Sequence, residues 1–295
     1  MGKKGEKMKE SVAFIGCGVM GTPMALRLLE GGFPVFVHTR TMAKAEKLLQ
    51  KGARWRDSIP ACVEGRSVVI TMVGYPRDVE EIYLGRDGIL ENVAPGTVVI
   101  DMTTSSPGLA ERIFCKAKER GVSALDAPVS GGDVGAKTGA LSIMVGGEKD
   151  AFERCLPLFQ VLGQKILYEG KAGSGQHTKL ANQIAIAGAI SGVCEAIAYG
   201  KAAGLDLELM LDSISQGAAG SWQMTNLGPK ILEGDFSPGF FIKHFVKDMR
   251  LAAEEAEHHG LLLEMLPQVL KIYEELEKNG KGEWGTQGLI NRYHV

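Results

Sequence analysis

At 295 residues the chain is long enough for two domains that each bury a core, although length alone does not exclude a single larger domain. Its 33 lysines and arginines nearly balance its 35 aspartates and glutamates, so no overall field favours nucleic acid or an anionic membrane surface. Any anionic ligand must therefore be bound by a local group of residues.

The cysteines are odd in number and scattered, and they show neither a C-x-x-C pair nor a Cys/His metal spacing. They are Cys17, Cys62, Cys115, Cys155 and Cys194. This usage favours buried, reduced thiols in a cytoplasmic protein and predicts no metal site. Residues 1–10 are polar and precede no apolar segment of signal-peptide type, so we interpret them as a solvated leader.

The first predicted strand, Val12–Ile15, runs directly into a glycine-rich turn and a helix over residues 20–30. Gly16, Gly18 and Gly21 have the G-x-G-x-x-G spacing, in which the glycines allow a tight turn, the approach of a pyrophosphate and close packing of helix on strand. A dinucleotide would also contact the intervening Val19 and Met20. A purely structural turn is the alternative.

Strand and helix patterns then alternate. Strands are predicted at 34–38, 67–73, 97–102, 122–126, 142–145 and 165–168, and helices at 41–51, 77–84, 108–120 and 150–162. This alternation predicts a doubly wound parallel sheet of the Rossmann type.

From residue 177 onward almost every pattern is helical. A long helix is predicted over about 177–203, followed by helices at 207–215, 247–259 and 266–278, with turns at Gly228-Pro229 and at 237–239. We therefore predict a dinucleotide-binding domain at 11–173 and an all-helical substrate and oligomerisation domain at 174–295. Within the long helix, the apolar run 184–193 is too short to span a bilayer and predicts a core helix.

The end of the second strand indicates which dinucleotide fits. An acidic residue there would bind the ribose 2′-hydroxyl, whereas an arginine accommodates a 2′-phosphate. The chain has Thr39, Arg40 and Thr41 at this place and no carboxylate, which favours NADP(H) and leaves NAD(H) possible. An ordinary solvated arginine is the alternative.

Two further stretches carry candidate chemistry. Ser130, Gly131 and Gly132 follow a predicted strand, and their backbone N–H groups could hold a carboxylate, although a glycine-rich hairpin is equally compatible. Lys179 shares a helix face with Asn182 and Gln183; a lysine can act as general acid and base while an amide orients an oxygen, and an exposed lysine is the alternative.

Four segments in register resemble the β-hydroxyacid dehydrogenase family, which includes 3-hydroxyisobutyrate dehydrogenase, tartronate semialdehyde reductase and glyoxylate/succinic semialdehyde reductases. The segments are residues 14–21, 126–132, 173–183 and 247–248, and together they cover almost the whole chain after the leader.

The resemblance implies a catalytic acid/base at Lys179 and a substrate carboxylate site at residues 130–132. It implies further substrate contacts from Thr104, Asn182, Gln183, Phe240 and Asp248, and cofactor contacts from Met72, Val73, Thr104 and Lys247. Family members commonly have asparagine at the position of Gln183, so either amide could position the substrate. Lys247 and Asp248 are adjacent, and we expect them to point to different sides of a helix and to have distinct roles.

The resulting expectation is an NADP(H)-dependent oxidoreductase that interconverts a small β-hydroxy acid, or another small hydroxy acid, and its aldehyde or keto acid. The preferred direction is reduction of a short semialdehyde acid or glyoxylate. The alternatives are an NAD-dependent 3-hydroxyisobutyrate dehydrogenase and a non-catalytic NADP(H)-binding scaffold. We expect a cytoplasmic homodimer or homotetramer that binds a small carboxylate and neither nucleic acid nor membrane.

Overall fold

A computed structural model describes residues 9–293. Most of the predicted leader lies outside these residues. Its last residue, Glu10, accepts a hydrogen bond from Arg154 Nε at 3.0 Å, so the chain already belongs to the folded domain at this point.

The first part of the chain forms a single nine-stranded sheet. Its strands are β1 Val12–Ile15, β2 Val35–His38, β3 Arg54–Trp55, β4 Val68–Thr71, β5 Val98–Asp101, β6 Ser123–Asp126, β7 Val129–Ser130, β8 Leu141–Gly147 and β9 Gly163–Gly170. The order is β3-β2-β1-β4-β5-β6-β8-β7, and β9 pairs with β8. The first six strands are parallel, and their order is that of a doubly wound Rossmann sheet, which confirms the predicted fold.

Helices cover both faces of this sheet. They are α1 Gly21–Glu30, α2 Glu46–Gln50, α3 Ile59–Val63, α4 Pro76–Leu84, α5 Ile89–Asn92, α6 Pro107–Glu119, α7 Gly132–Thr138 and α8 Lys149–Leu162. All four residues of β1 are buried; Val12 and Phe14 pack into one apolar cluster, and Ala13 and Ile15 into the cluster on the opposite face. This two-sided burial explains why the central strands are continuous apolar runs.

The remainder of the described chain is helical. It comprises α9 Ser174–Ala202, α10 Leu207–Ser215, α11 Trp222–Glu233, α12 Ile242–His258 and α13 Met265–Leu276, with a π-helical segment Glu277–Lys281 and a 3-10 segment Thr286–Arg292. Phe245, Met249 and Tyr273 are fully buried at the centre of its apolar cluster. The chain divides into two compact units, one ending at Lys179 and one beginning at Leu180, so α9 contributes residues to both.

The structure differs from three local predictions. Residues 41–51 form a 3-10 turn, Met42–Ala45, before the short α2, because the Lys44 N–H bonds three residues back to the Thr41 carbonyl at 3.0 Å. Gly228 and Pro229 lie inside α11 rather than at a turn. A Cβ on Gly228 would lie 3.2 Å from Leu211 of α10, so this glycine serves close helix packing.

Helix α9 begins three residues before its predicted start. Its apolar region is also longer than 184–193, because an 18-residue window of it has a mean hydropathy of 1.4, and 39% of that window is buried. By length and composition it would be long enough to cross a membrane, a test that core helices of soluble proteins also pass. The interpretation of α9 as a core helix stays a prediction.

Candidate active site

The glycine turn has the geometry that its spacing predicts. Gly16 has a φ of +102°, and a Cβ there would lie 2.2 Å from the Met72 carbonyl oxygen. A Cβ on Gly21 would lie 1.9 Å from the Gly16 carbonyl oxygen and 3.1 Å from the Phe14 ring. Both positions therefore require glycine, the first for the turn and the second for packing α1 against β1.

Gly18 differs from its two neighbours because a Cβ there would meet nothing within 4 Å. Val19 beside it is 54% exposed. The turn thus leaves open space at the one glycine that the fingerprint assigns to a pyrophosphate, and the residues present fit a dinucleotide. Cys17 is buried within the turn, and this burial raises the pKa of its thiol to about 11, so it stays protonated and unreactive at neutral pH.

The parallel register brings most of the predicted cofactor residues to one edge of the sheet. Ile15 pairs with Thr71, and Thr71 pairs with Asp101, so β1, β4 and β5 end side by side. The glycine turn, the Met72–Val73 segment and Thr104 follow these three strand ends. The Val73 N–H donates to the Thr103 hydroxyl at 3.0 Å, which joins the loops after β4 and β5.

Arg40 follows β2 at the same edge. Its side chain is 89% exposed, and its guanidinium lies 3.7 Å from the Asp78 carboxylate near the start of α4. Thr41 is exposed and Thr39 is partly exposed beside it. An exposed pair of this kind contributes little energy, so the guanidinium is available to a phosphate.

The sequence suggested that Ser130 follows the end of a strand of the parallel sheet, but it does not. It lies in the two-residue strand β7, which pairs with β8 in antiparallel fashion, Ser130 opposite Ser142. Gly131 and Gly132 have φ values of +125° and +61°, and this left-handed backbone turns the chain from β7 into α7. The structural alternative, a glycine-rich hairpin, is replaced by a turn that leads through α7 to β8, and the carboxylate site at this backbone stays a prediction.

Lys179 is buried in the second turn of α9, with 7% of its surface exposed. Among the lysines and arginines of residues 9–293, it alone is buried. A buried lysine is rare in proteins because removing the ammonium from water is costly, and it indicates a specific role. The interpretation of this residue as an exposed surface cation is therefore wrong.

The first turn of α9 is bound to the sheet by Asp126 and Gln176, which lie in two of the segments that resemble the family but were given no role from the sequence. Asp126, the last residue of β6, accepts hydrogen bonds from the Gly173 and Gln176 N–H groups at 2.8 and 2.9 Å. The Gln176 side chain in turn bonds to the backbone of Ser105 and Thr103. The available signal was an aspartate at a strand carboxyl end together with the run Gly173-Ser174-Gly175-Gln176, which contains the predicted domain boundary and also begins the segment 173–183 of the family resemblance.

The amides of the second unit form a short chain. Asn182 Nδ2 donates to Gln183 Oε1 at 2.8 Å, and Gln183 Nε2 donates to Asp248 Oδ2 at 2.6 Å. The Gln183 amide is thus engaged at both ends, and the Asn182 oxygen remains the acceptor that this pair does not use. Which amide positions a substrate stays a prediction.

Lys247 and Asp248 do not point to different sides of α12, because Lys247 Nζ lies 2.9 Å from Asp248 Oδ1. The long lysine side chain folds back along the helix to pair with its buried neighbour. Phe240 packs edge-on against Phe245, with ring centroids 5.7 Å apart. The cofactor contact predicted for Lys247 and the substrate contacts predicted for Phe240 and Asp248 stay predictions.

Comparison with known proteins identifies the family. Residues 11–170 match the family described as the NAD binding domain of 6-phosphogluconate dehydrogenase, and residues 173–293 match the family described as NAD-binding of NADP-dependent 3-hydroxyisobutyrate dehydrogenase. An uncharacterized oxidoreductase of Bacillus subtilis is 54% identical over 96% of this chain and 98% of its own length. The 2-hydroxy-3-oxopropionate reductase of Escherichia coli is 35% identical over 95% of each chain.

A solved structure gives the same result. Mycobacterium tuberculosis 3-hydroxyisobutyrate dehydrogenase, solved with L-serine, is 28% identical to this chain and has a similar structure, with a TM-score of 0.90. The match covers 98% of this chain and 100% of that protein's chain. The two family matches together span nearly the whole chain. The chain therefore belongs to the β-hydroxyacid dehydrogenase family and is an NAD(P)-dependent oxidoreductase that acts on hydroxyl groups.

Proposed function

We propose that the protein interconverts a small β-hydroxy acid and its aldehyde or keto acid with NADP(H), using Lys179 as general acid and base. This proposal rests on the burial of Lys179, which is the one buried lysine or arginine among the described residues. Lys179 lies three residues after Gln176, which is hydrogen-bonded to Asp126 at the end of β6 and to Thr103 in the loop after β5.

The chemistry divides between the cofactor and the chain. The bound nicotinamide supplies the hydride in reduction and accepts it in oxidation. Lys179 donates a proton to the developing alkoxide in reduction and removes it in oxidation. The backbone at Ser130, Gly131 and Gly132 holds the substrate carboxylate, so the carbonyl is kept at a fixed distance from the lysine.

The relatives favour a short 3-hydroxy acid, or its 3-oxo counterpart, as substrate. L-Serine, 3-hydroxyisobutyrate and 2-hydroxy-3-oxopropionate occur in the names of the similar proteins, and all three have a carboxylate one carbon away from the carbon that carries the reacting oxygen. We propose substrates of this class, with reduction of a short semialdehyde acid as the preferred direction. Glyoxylate, in which the carboxylate is bonded directly to the reacting carbon, is the second candidate.

The proposed preference for NADP(H) rests on Arg40. Its exposed guanidinium, flanked by the Thr39 and Thr41 hydroxyls, suits a 2′-phosphate. Arg40→Asp should raise KM for NADPH much more than KM for NADH, since repulsion acts only on the extra phosphate. Equal changes in the two KM values would contradict the role of Arg40.

A substrate panel tests the reaction. Oxidation of NADPH and of NADH is followed with tartronate semialdehyde, succinic semialdehyde and glyoxylate, and the reverse reaction with L-serine and 3-hydroxyisobutyrate. Lys179→Ala should lose most of kcat while binding NADPH normally. Lys171→Ala is the matched control, because Lys171 lies in the same unit with an 87% exposed side chain. Near-normal turnover by Lys179→Ala, or no turnover on any compound despite NADPH binding, would refute the proposal.

We also propose a cytoplasmic homodimer or homotetramer. Free cysteines support a reducing compartment. Burial raises the pKa of the Cys62, Cys155 and Cys194 thiols to about 12, whereas Cys115 is exposed, so the expectation of buried thiols is wrong for that residue. Light scattering of the purified protein measures the oligomeric state directly, and a monomeric mass would contradict the second half of this proposal.

A further inference from the structure

Asp126 binds the first turn of α9 from outside the helix. Its Oδ1 accepts from the Gly173 N–H at 2.8 Å, and its Oδ2 accepts from the Gln176 N–H at 2.9 Å. These are N–H groups that the helix cannot satisfy with its own carbonyls. Asp126 is only 4% exposed and ends β6, so the carboxylate joins the helix directly to the sheet.

Gln176 makes a second connection with its side chain. Its Oε1 accepts from the Ser105 N–H at 2.9 Å, and its Nε2 donates to the Thr103 carbonyl at 2.8 Å. The side chain is fully buried, so both bonds form away from competing water. Gln176 therefore fixes the loop after β5, which carries Thr104, against the start of α9.

Two glycines make this close approach possible. A Cβ on Gly175 would lie 2.4 Å from the Met144 carbonyl oxygen and 2.9 Å from Asp126 Oδ2. A Cβ on Gly146 would lie 2.6 Å from Asp126 Oδ1. Any larger residue at either position would push the helix start away from β6 and β8.

Gln176 and Lys179 are three residues apart in α9 and lie on the same side of the helix. One lies about 4.5 Å above the other along the axis, and a slip of one residue would turn the lysine by about 100°. Bonds that hold Gln176 therefore also determine where the ammonium group of Lys179 points.

We propose that Asp126 and Gln176 are positioning residues that set the orientation of Lys179 relative to the cofactor loop after β5. This inference rests on the proposed role of Lys179. It predicts that loss of either residue lowers turnover through Lys179, beyond any effect on stability.

A double-mutant cycle tests this inference. Asp126→Asn keeps the shape but has one acceptor oxygen for two N–H groups, and Gln176→Leu removes both side-chain bonds. Each should lower kcat about 10- to 100-fold, because a displacement near 1 Å costs this much, while the dissociation constant for NADPH stays within about twofold. In a Lys179→Ala background the same substitutions should lower the residual kcat no further.

Asp206→Ala is the control. Asp206 caps α10 by accepting from the Leu209 N–H at 3.0 Å, so this variant loses a helix cap in the second unit and should lower stability without changing kcat. If Asp126→Asn does not fold, Gln176→Glu, which keeps the acceptor but not the donor, replaces it in the cycle.

The outcomes separate the two proposals. Full activity of Lys179→Ala refutes the proposed function itself. An inactive Lys179→Ala combined with normal kcat in Asp126→Asn and Gln176→Leu overturns only the positioning role. An equal loss in the wild-type and Lys179→Ala backgrounds also overturns it, because the effect would then not act through the lysine.

Discussion

The Asp126 carboxyl should make stability depend on pH in an unusual direction. Burial raises its pKa to about 6 from an ordinary 3.8, and repulsion by Asp101 adds to this, although the N–H bonds from Gly173 and Gln176 oppose it. Because the pKa is higher in the folded protein than in the unfolded chain, this group stabilises the fold fully below pH 3.8, and that contribution is lost as pH rises through 6.

The magnitude follows from the pKa difference. A rise of the pKa from 3.8 to about 6 means that ionisation of Asp126 destabilises the folded protein by about 3 kcal/mol, at about 1.4 kcal/mol for each unit of pKa. Between pH 4.5 and 7.5, the free energy of unfolding of the wild type should therefore fall by about 2 kcal/mol relative to Asp126→Asn, which cannot ionise. Carboxyl groups that do not interact with Asp126 cancel in this difference.

NMR provides the assay. The amide signals of Gly173 and Gln176 should shift together with a midpoint near pH 6, because both N–H groups bond to this carboxylate. Urea unfolding of the two proteins, read from signals of the first unit, gives the free-energy difference. A midpoint at or below 3.8, or a difference that does not change with pH, would refute the reasoning about burial.

Four further substitutions test other parts of the site. Gly21→Ala should have a lower melting temperature and bind NADPH poorly, because its Cβ would lie 1.9 Å from a backbone oxygen. Gly18→Ala has open space for its Cβ, so it should keep its melting temperature and lose only NADPH affinity. Equal losses of stability in the two variants would contradict this contrast. Asp78→Asn removes the carboxylate that lies 3.7 Å from the Arg40 guanidinium. This change should raise the ratio of kcat/KM with NADPH to kcat/KM with NADH about two- to fivefold, and a lower ratio would contradict the role of Arg40. In Gln183→Asn the shorter side chain cannot reach Asp248, so the free energy of unfolding should fall by about 1 to 3 kcal/mol. An unchanged Tm would show that the hydrogen bond of 2.6 Å does not stabilise the fold.

The parallel sheet could be predicted because its determinants are local. The apolar runs of β1, β4 and β5 are buried on both faces, and the glycine spacing marks the first turn without reference to distant residues. Short elements such as β3 and α5 escaped prediction because two to four residues cannot establish a period.

The connections between strand ends could not be predicted in the same way. Asp126 and Gln176 are 50 positions apart, and their bond depends on strand pairing that brings β6 beside the start of α9. Gly175 and Gly146 look like loop glycines in the sequence, and only the folded backbone shows that each allows a close approach. Similarly, the pairing of Lys247 with Asp248 depends on the side-chain rotamer and not on helical spacing.

The course of α9 has a consequence for dividing the protein into fragments. The first unit ends at Lys179, so a fragment cut there would keep the residues of the glycine turn but only the six helical residues from Ser174 to Lys179. Isolated helices need about 12 to 15 residues to persist in water. Asp126 and Gln176 would still hold the first turn of this short segment, but Lys179 would lie at its frayed end, because the carbonyls of residues 176–179 would lose the N–H donors of residues 180–183 that continue the helix.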